Sequence, residues 1–92
     1  MKGLLNGIRI TGDIVFDFFN DTHQRGVISF SLKNTGQTTL IIDDDVREEI
    51  APGQFFFIES NVALVNTAFR IAFKNEAGKT NEAIIRYIVP LE

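Results

Sequence analysis

From Val27 to Lys33 the chain alternates apolar and polar side chains, with Ile28, Phe30 and Leu32 on one parity and Ser29, Ser31 and Lys33 on the other. Successive side chains of a strand point to opposite faces, so this pattern predicts a β-strand that buries one face and wets the other. The run stops at Asn34-Thr35-Gly36-Gln37, and the β-branched stretch Thr38–Ile42 follows it to Asp43-Asp44-Asp45. Asn and Gly tolerate the backbone of a tight turn, so residues 27–42 predict a hairpin. A second turn, Ala51-Pro52-Gly53-Gln54, leads into Phe55-Phe56-Phe57-Ile58-Glu59, another strand.

The same reading extends in both directions. Residues 7–11 form a first short strand, broken at Gly12-Asp13, and Ile14–Phe19 form a second. Asp13, Asp17 and Asp21 recur every fourth residue, as on one side of a helix. The β-branched and aromatic residues between them favour a strand instead. Asn20–Gly26 is a polar loop, Val46–Ile50 fits a short strand better than the alternative of one helical turn, and Val62–Val65 is another short strand. Phe69, Ile71 and Phe73 alternate with Arg70, Ala72 and Lys74. The loop at 75–79 returns the chain as a closing hairpin into Glu82–Val89, where Pro90, lacking an amide donor, ends the ladder. Short strands at intervals of about 8–12 residues predict an all-β sandwich. One domain over residues 1–92 is expected, with about seven or eight strands. Its predicted core is Ile14, Phe16, Phe18, Ile28, Phe30, Leu32, Leu40, Ile42, Phe56, Ile58, Phe69, Ile71 and Phe73.

Two segments carry more apolar surface than one core needs. Phe55 and Phe57 share a face with Glu59, opposite Phe56 and Ile58. Ile84, Arg86 and Ile88 oppose Ala83, Ile85, Tyr87 and Val89, so the last strand is apolar on both sides. A strand that packs only one core is polar outward, and large apolar patches are uncommon on monomers. Phe55, Phe57, Ile84, Arg86 and Ile88 are therefore the candidate interface. The Phe and Ile side chains would supply buried area, and Arg86 an orienting guanidinium fork. The competing reading has the Met1–Leu5 arm or a loop covering this surface within the monomer.

The chain's 92 residues include nine Phe among 45% hydrophobic residues, ample for one core. Cysteine is absent, which excludes a disulfide framework and thiolate metal ligands. A formal charge of -3, with both signs interspersed, disfavours nucleic acid as a partner. No apolar run reaches the ~20 residues of a membrane span, and the first residues lack a signal-peptide core. A soluble chain in the cytoplasm or in a virion is expected. His23, the single histidine, sits in a polar loop with no nucleophile motif beside it, so no catalytic residue and no cofactor are assigned. Asp43, Asp44 and Asp45 are the one metal feature, with Glu48, Glu49 and Asp13 as further oxygen donors for calcium. They lack EF-hand spacing, which favours a solvated turn.

Phe30-Ser31-Leu32-Lys33-Asn34-Thr35-Gly36, Thr39-Leu40-Ile41-Ile42 and Ile50-Ala51-Pro52-Gly53-Gln54 together resemble the front half of immunoglobulin-like modules. With neither Cys nor Trp, the resemblance is to the disulfide-free types. Phe69–Lys74 followed by Asn81–Tyr87 is similar to the closing hairpin of small auxiliary or decoration proteins of tailed-phage capsids. That resemblance implies a non-enzymatic structural module, often oligomeric, docking on itself or on a larger protein assembly. The alternative is a carbohydrate- or calcium-binding accessory module, with Tyr87 and Phe55 as aromatics for sugar stacking.

Overall fold

A computed structural model describes residues 2–91. Eight strands are formed: β1 (Gly3–Ile10), β2 (Ile14–Phe16), β3 (Val27–Asn34), β4 (Leu40–Ile42), β5 (Glu48–Ile50), β6 (Phe55–Leu64), β7 (Phe69–Phe73) and β8 (Ala83–Pro90). They make two antiparallel four-stranded sheets, β1-β8-β3-β6 and β2-β7-β4-β5. The first sheet contains the four long strands, and the second is built from strands of three to five residues. One apolar core lies between the sheets, centred on Phe30, Leu32, Leu40, Ile42, Ile71 and Ile85.

The all-β sandwich is as the alternation predicts, but its winding is different. An immunoglobulin-like order keeps strands A and B side by side in one sheet. Here β1 and β2 lie in opposite sheets, and the chain changes sheet at every connection except β4 to β5. Eight strands wound in this manner form a jelly roll. Both expected hairpins are corrected by the same fact. β3 and β4 flank Asn34–Gln37 but hydrogen-bond to different neighbours, as do β7 and β8 around the 75–79 loop.

The two loops zip to each other instead of closing their own strands. Thr35 N donates to Glu82 O (3.1 Å), Gln37 N to Thr80 O (2.8 Å), and Thr80 N to Gln37 Oε1 (3.0 Å). Gly36 permits this approach, since a Cβ there would lie 2.5 Å from Glu82 N. Asn34 is fully buried, and its Nδ2 donates to Thr38 O (2.7 Å) and Ile50 O (2.9 Å), tying β3 to the opposite sheet.

Several local expectations are also revised. The strand at 14–19 ends at Phe16, and a 3₁₀ turn at Asn20–Thr22 interrupts the polar loop. Asp17 Oδ1 accepts from Phe19 N (2.9 Å) and Asn20 N (2.8 Å), which turns the chain. Residues 55–59 and 62–65 are not two strands; β6 runs through 55–64. A bulge between Val27 and Ser29 puts Val27, not Ile28, in the core, and Ile58 lies 40% exposed at the sandwich edge. Ile14, Phe56 and Phe69 are only partly buried, while Ile10, Ile50, Tyr87 and Val89 join the core.

Candidate functional site

The cross-strand register lays out the outer face of the long sheet row by row. Ser29 pairs with both Ile88 and Glu59, and Ile88 with Leu5. In the next outward row Gly7, Arg86, Ser31 and Phe57 are aligned, and beyond it Arg9, Ile84, Lys33 and Phe55. All five candidate interface residues thus share one face. They come from strands β6 and β8, separated in the sheet by β3 alone. The period of two makes this inevitable once the register is set, because Phe55/Phe57 and Ile84/Arg86/Ile88 fall on the parity opposite to buried Leu32 and Ile85.

Exposure differs along the face. Phe55 and Phe57 are 66% and 53% exposed, whereas Ile84 and Ile88 are half-buried among their neighbours. Leu5 extends the patch at 66% exposure, a contributor the sequence reading placed in a covering arm. Residues 3–5 form the start of β1 and pair edge-on with β8, so they widen the face and do not shield Phe55 or Phe57. Met1 lies outside the described residues. Arg86 is laid over Gly7, where a Cβ would sit 2.8 Å from its Nη1. The guanidinium thus lies over the sheet at Gly7, flanking a hollow of about 200 Å³ with Arg9 and Ile84. Arg9 Nη1 is itself 3.3 Å from Glu82 Oε2. A larger hollow of about 470 Å³ lies at the other end of the face, between Ile28, Ile88 and the polar residues Ser29, Glu59, Ser60 and Asn61.

The remaining candidates are scattered. Asp44 Oδ1 accepts from Val46 N (3.0 Å) and Arg47 N (2.9 Å), and Asp43 pairs with Arg47 at 3.6 Å. Glu49 pairs with Lys74 at 3.6 Å, and Asp13 Oδ1 accepts from Phe73 N (2.9 Å). Among the described residues no group of three or more His, Asp or Glu side chains converges as a metal site. His23 is exposed, in a left-handed backbone conformation (φ 55°) at the end of the 3₁₀ turn. Tyr87 points into the core, its phenol pushed up in pKa by burial and by the Asp21 charge. It lies on the parity opposite to Phe55, so the two cannot form one sugar-stacking platform. No helix among the described residues is long and apolar enough to cross a membrane.

No family model and no curated protein matches this chain. Among solved structures, it is similar to the solution NMR structure of a de novo designed double-stranded β-helix, with 11% identity over 97% of both chains and a TM-score of 0.42. The jelly-roll assignment rests on the strand order itself.

Proposed function

We propose that this protein is a non-enzymatic interaction module that docks through the outer face of the β1-β8-β3-β6 sheet, either on copies of itself or on a larger protein assembly such as a virion. The supporting observation is the convergence of Leu5, Phe55, Phe57, Ile84 and Ile88 on one face. Arg86 lies among them, and Lys33 and Arg9 stand at one end. A partner suited to this surface is apolar at its centre and carries a carboxylate opposite Arg86, which a planar guanidinium can grip with two hydrogen bonds. Jelly rolls occur in viral capsid proteins, which agrees with the virion reading at the level of fold analogy alone.

The test is solution mass by light scattering over a concentration series, for the wild type and a Phe55→Ser/Phe57→Ser double variant. The expected result is concentration-dependent assembly of the wild type, lost in the variant without a fall in melting temperature. A wild type monomeric throughout removes self-assembly from the reading. Equal assembly by both chains removes this face.

A second reading, carbohydrate binding, is favoured by the 470 Å³ hollow, in which Ser29, Glu59, Ser60 and Asn61 surround Ile28 and Ile88. Hydroxyl, amide and carboxylate groups around an apolar floor suit a polyol. A glycan array without a hit removes it.

A further inference from the structure

A separate opening lies at the edge of the sandwich, between β6 and the loops that follow β4 and β6. There a cleft of about 230 Å³ lies over the edge of the core, with Phe18, Phe30, Phe56 and Phe69 beneath and beside it and Asp44 and Asn66 among its lining residues. The four rings form one connected cluster. Phe18 and Phe30 are 5.1 Å apart between centroids, Phe18 and Phe69 5.3 Å, Phe30 and Phe69 5.3 Å, and Phe56 and Phe69 6.4 Å. Phe18 and Phe30 are buried, while Phe56 and Phe69 are only partly buried and keep some surface at the cleft.

The chemistry of this lining selects among ligands. Aromatic faces carry negative quadrupole potential and attract a cation that sheds water cheaply. Asp44 adds a carboxylate whose position is fixed by the Val46 and Arg47 amides on Oδ1. The base of the same loop, Arg47, has its guanidinium 3.6 Å from Asp43. Asn66 is tied to the aromatic cluster, because its backbone carbonyl accepts from Phe18 N at 2.8 Å. A neutral alkyl group would leave Asp44 unused, an anion would be repelled by it, and a primary ammonium would lose strong hydration on entering. The cavity is smaller than the about 300–1,000 Å³ of pockets for whole drug-sized ligands, so it suits a head group.

We propose that this cleft binds the trimethylammonium group of a small quaternary ammonium compound, methyls against the rings of Phe56 and Phe69 and charge toward Asp44. The experiment is an NMR titration of the full chain with choline, with free trimethyllysine, and with the neutral isostere 3,3-dimethylbutanol. Choline and trimethyllysine distinguish a choline-type source from a modified amino acid. The expected result is saturable shifts confined to the rings of Phe56 and Phe69 and the amides of Asp44 and Asn66. The cation should bind about tenfold more tightly than the isostere. Asp44→Asn keeps the turn's acceptor oxygen and should abolish that preference. Phe69→Leu keeps apolar bulk and should weaken the cation more than the isostere. Equal or tighter binding of the isostere overturns the proposal, as do shifts elsewhere or no saturation up to about 100 mM.

Discussion

At the residue scale, two polar positions carry structure that side-chain alternation does not show. Asn34 reads as a turn residue, yet its amide satisfies two buried carbonyls, Thr38 O in the loop before β4 and Ile50 O in β5 of the opposite sheet. Asn34→Ala leaves Thr38 O and Ile50 O without that donor, and a cost of about 2–6 kcal/mol is expected at roughly 1–3 kcal/mol per orphaned group. Chemical denaturation measures it, and a cost under about 0.5 kcal/mol would mean water takes the amide's place. Asp17 behaves differently because it is at the surface. Hydrogen bonds from the Asn20 side chain and backbone, opposed by slight desolvation and aided by Phe19 N, hold its carboxyl below the usual carboxylate range. A carboxylate with a lowered folded pKa contributes stability that is present above its unfolded pKa and lost as pH falls through the folded one. An NMR titration should therefore place the Asp17 midpoint below the usual carboxylate range, and the acid limb of stability should flatten in Asp17→Asn. Phe57→Ser, at a 53% exposed site, should change stability by no more than about 0.5 kcal/mol. Phe30→Ala, at a fully buried one, should cost about 3–5 kcal/mol.

At the element scale, β8 does most to unite the fold. It is hydrogen-bonded to β1 on one side and β3 on the other, and its inward residues Ala83, Ile85, Tyr87 and Val89 are all buried. Removing residues 83–92 exposes the facing edges of two strands and opens the core, so the truncated chain should lose its cooperative melting transition by circular dichroism. A sharp transition in that chain would show that the other strands suffice. By contrast, β4–β5 is the pair of consecutive strands that hydrogen-bond to each other, joined by an acidic loop at 43–47 with two ties to Asp44 Oδ1. The amphipathic alternation in β3 and β7 made these elements legible, because a two-residue period is a local property, and β8 showed as a run apolar on both parities that ends at Pro90. The bulge at Val27–Ser29 was not legible, since it depends on β6 running past β3 with extra residues. That bulge is why Ile28 leaves the core.

At the scale of the whole molecule, pairing is dominated by residues far apart in sequence, with Gly3 opposite Pro90 and Asn34 opposite Ala83. Such topology forms its contacts only after large loops close, so folding should be slow for 92 residues, in the millisecond-to-second range by stopped-flow. A microsecond phase carrying the full amplitude would contradict it. The outer face of the long sheet has four strands of about eight residues, hence about 500 Å² in projection at ~4.8 Å between strands and ~3.3 Å per residue. A standard interface takes about 800 Å² per partner. Docking through this face alone is therefore expected to be weak per contact, with stable assembly requiring several contacts at once.

Alternation along the chain was enough to show that it is all-β, which parities are apolar, where most strands lie, and that Phe55, Phe57, Ile84 and Ile88 carry apolar surface beyond one core. Each of these follows from side-chain alternation, which acts over two residues. Tertiary structure alone decided which strands are neighbours, and with it the jelly-roll winding over the expected immunoglobulin-like one. It also decided that Asn34 is a buried tie and not merely a turn. Turn chemistry reports that the chain reverses, but not whether it returns in the same sheet or across the core. That choice is made by packing between segments distant in sequence, such as the Gly36 turn against Thr80 and Glu82.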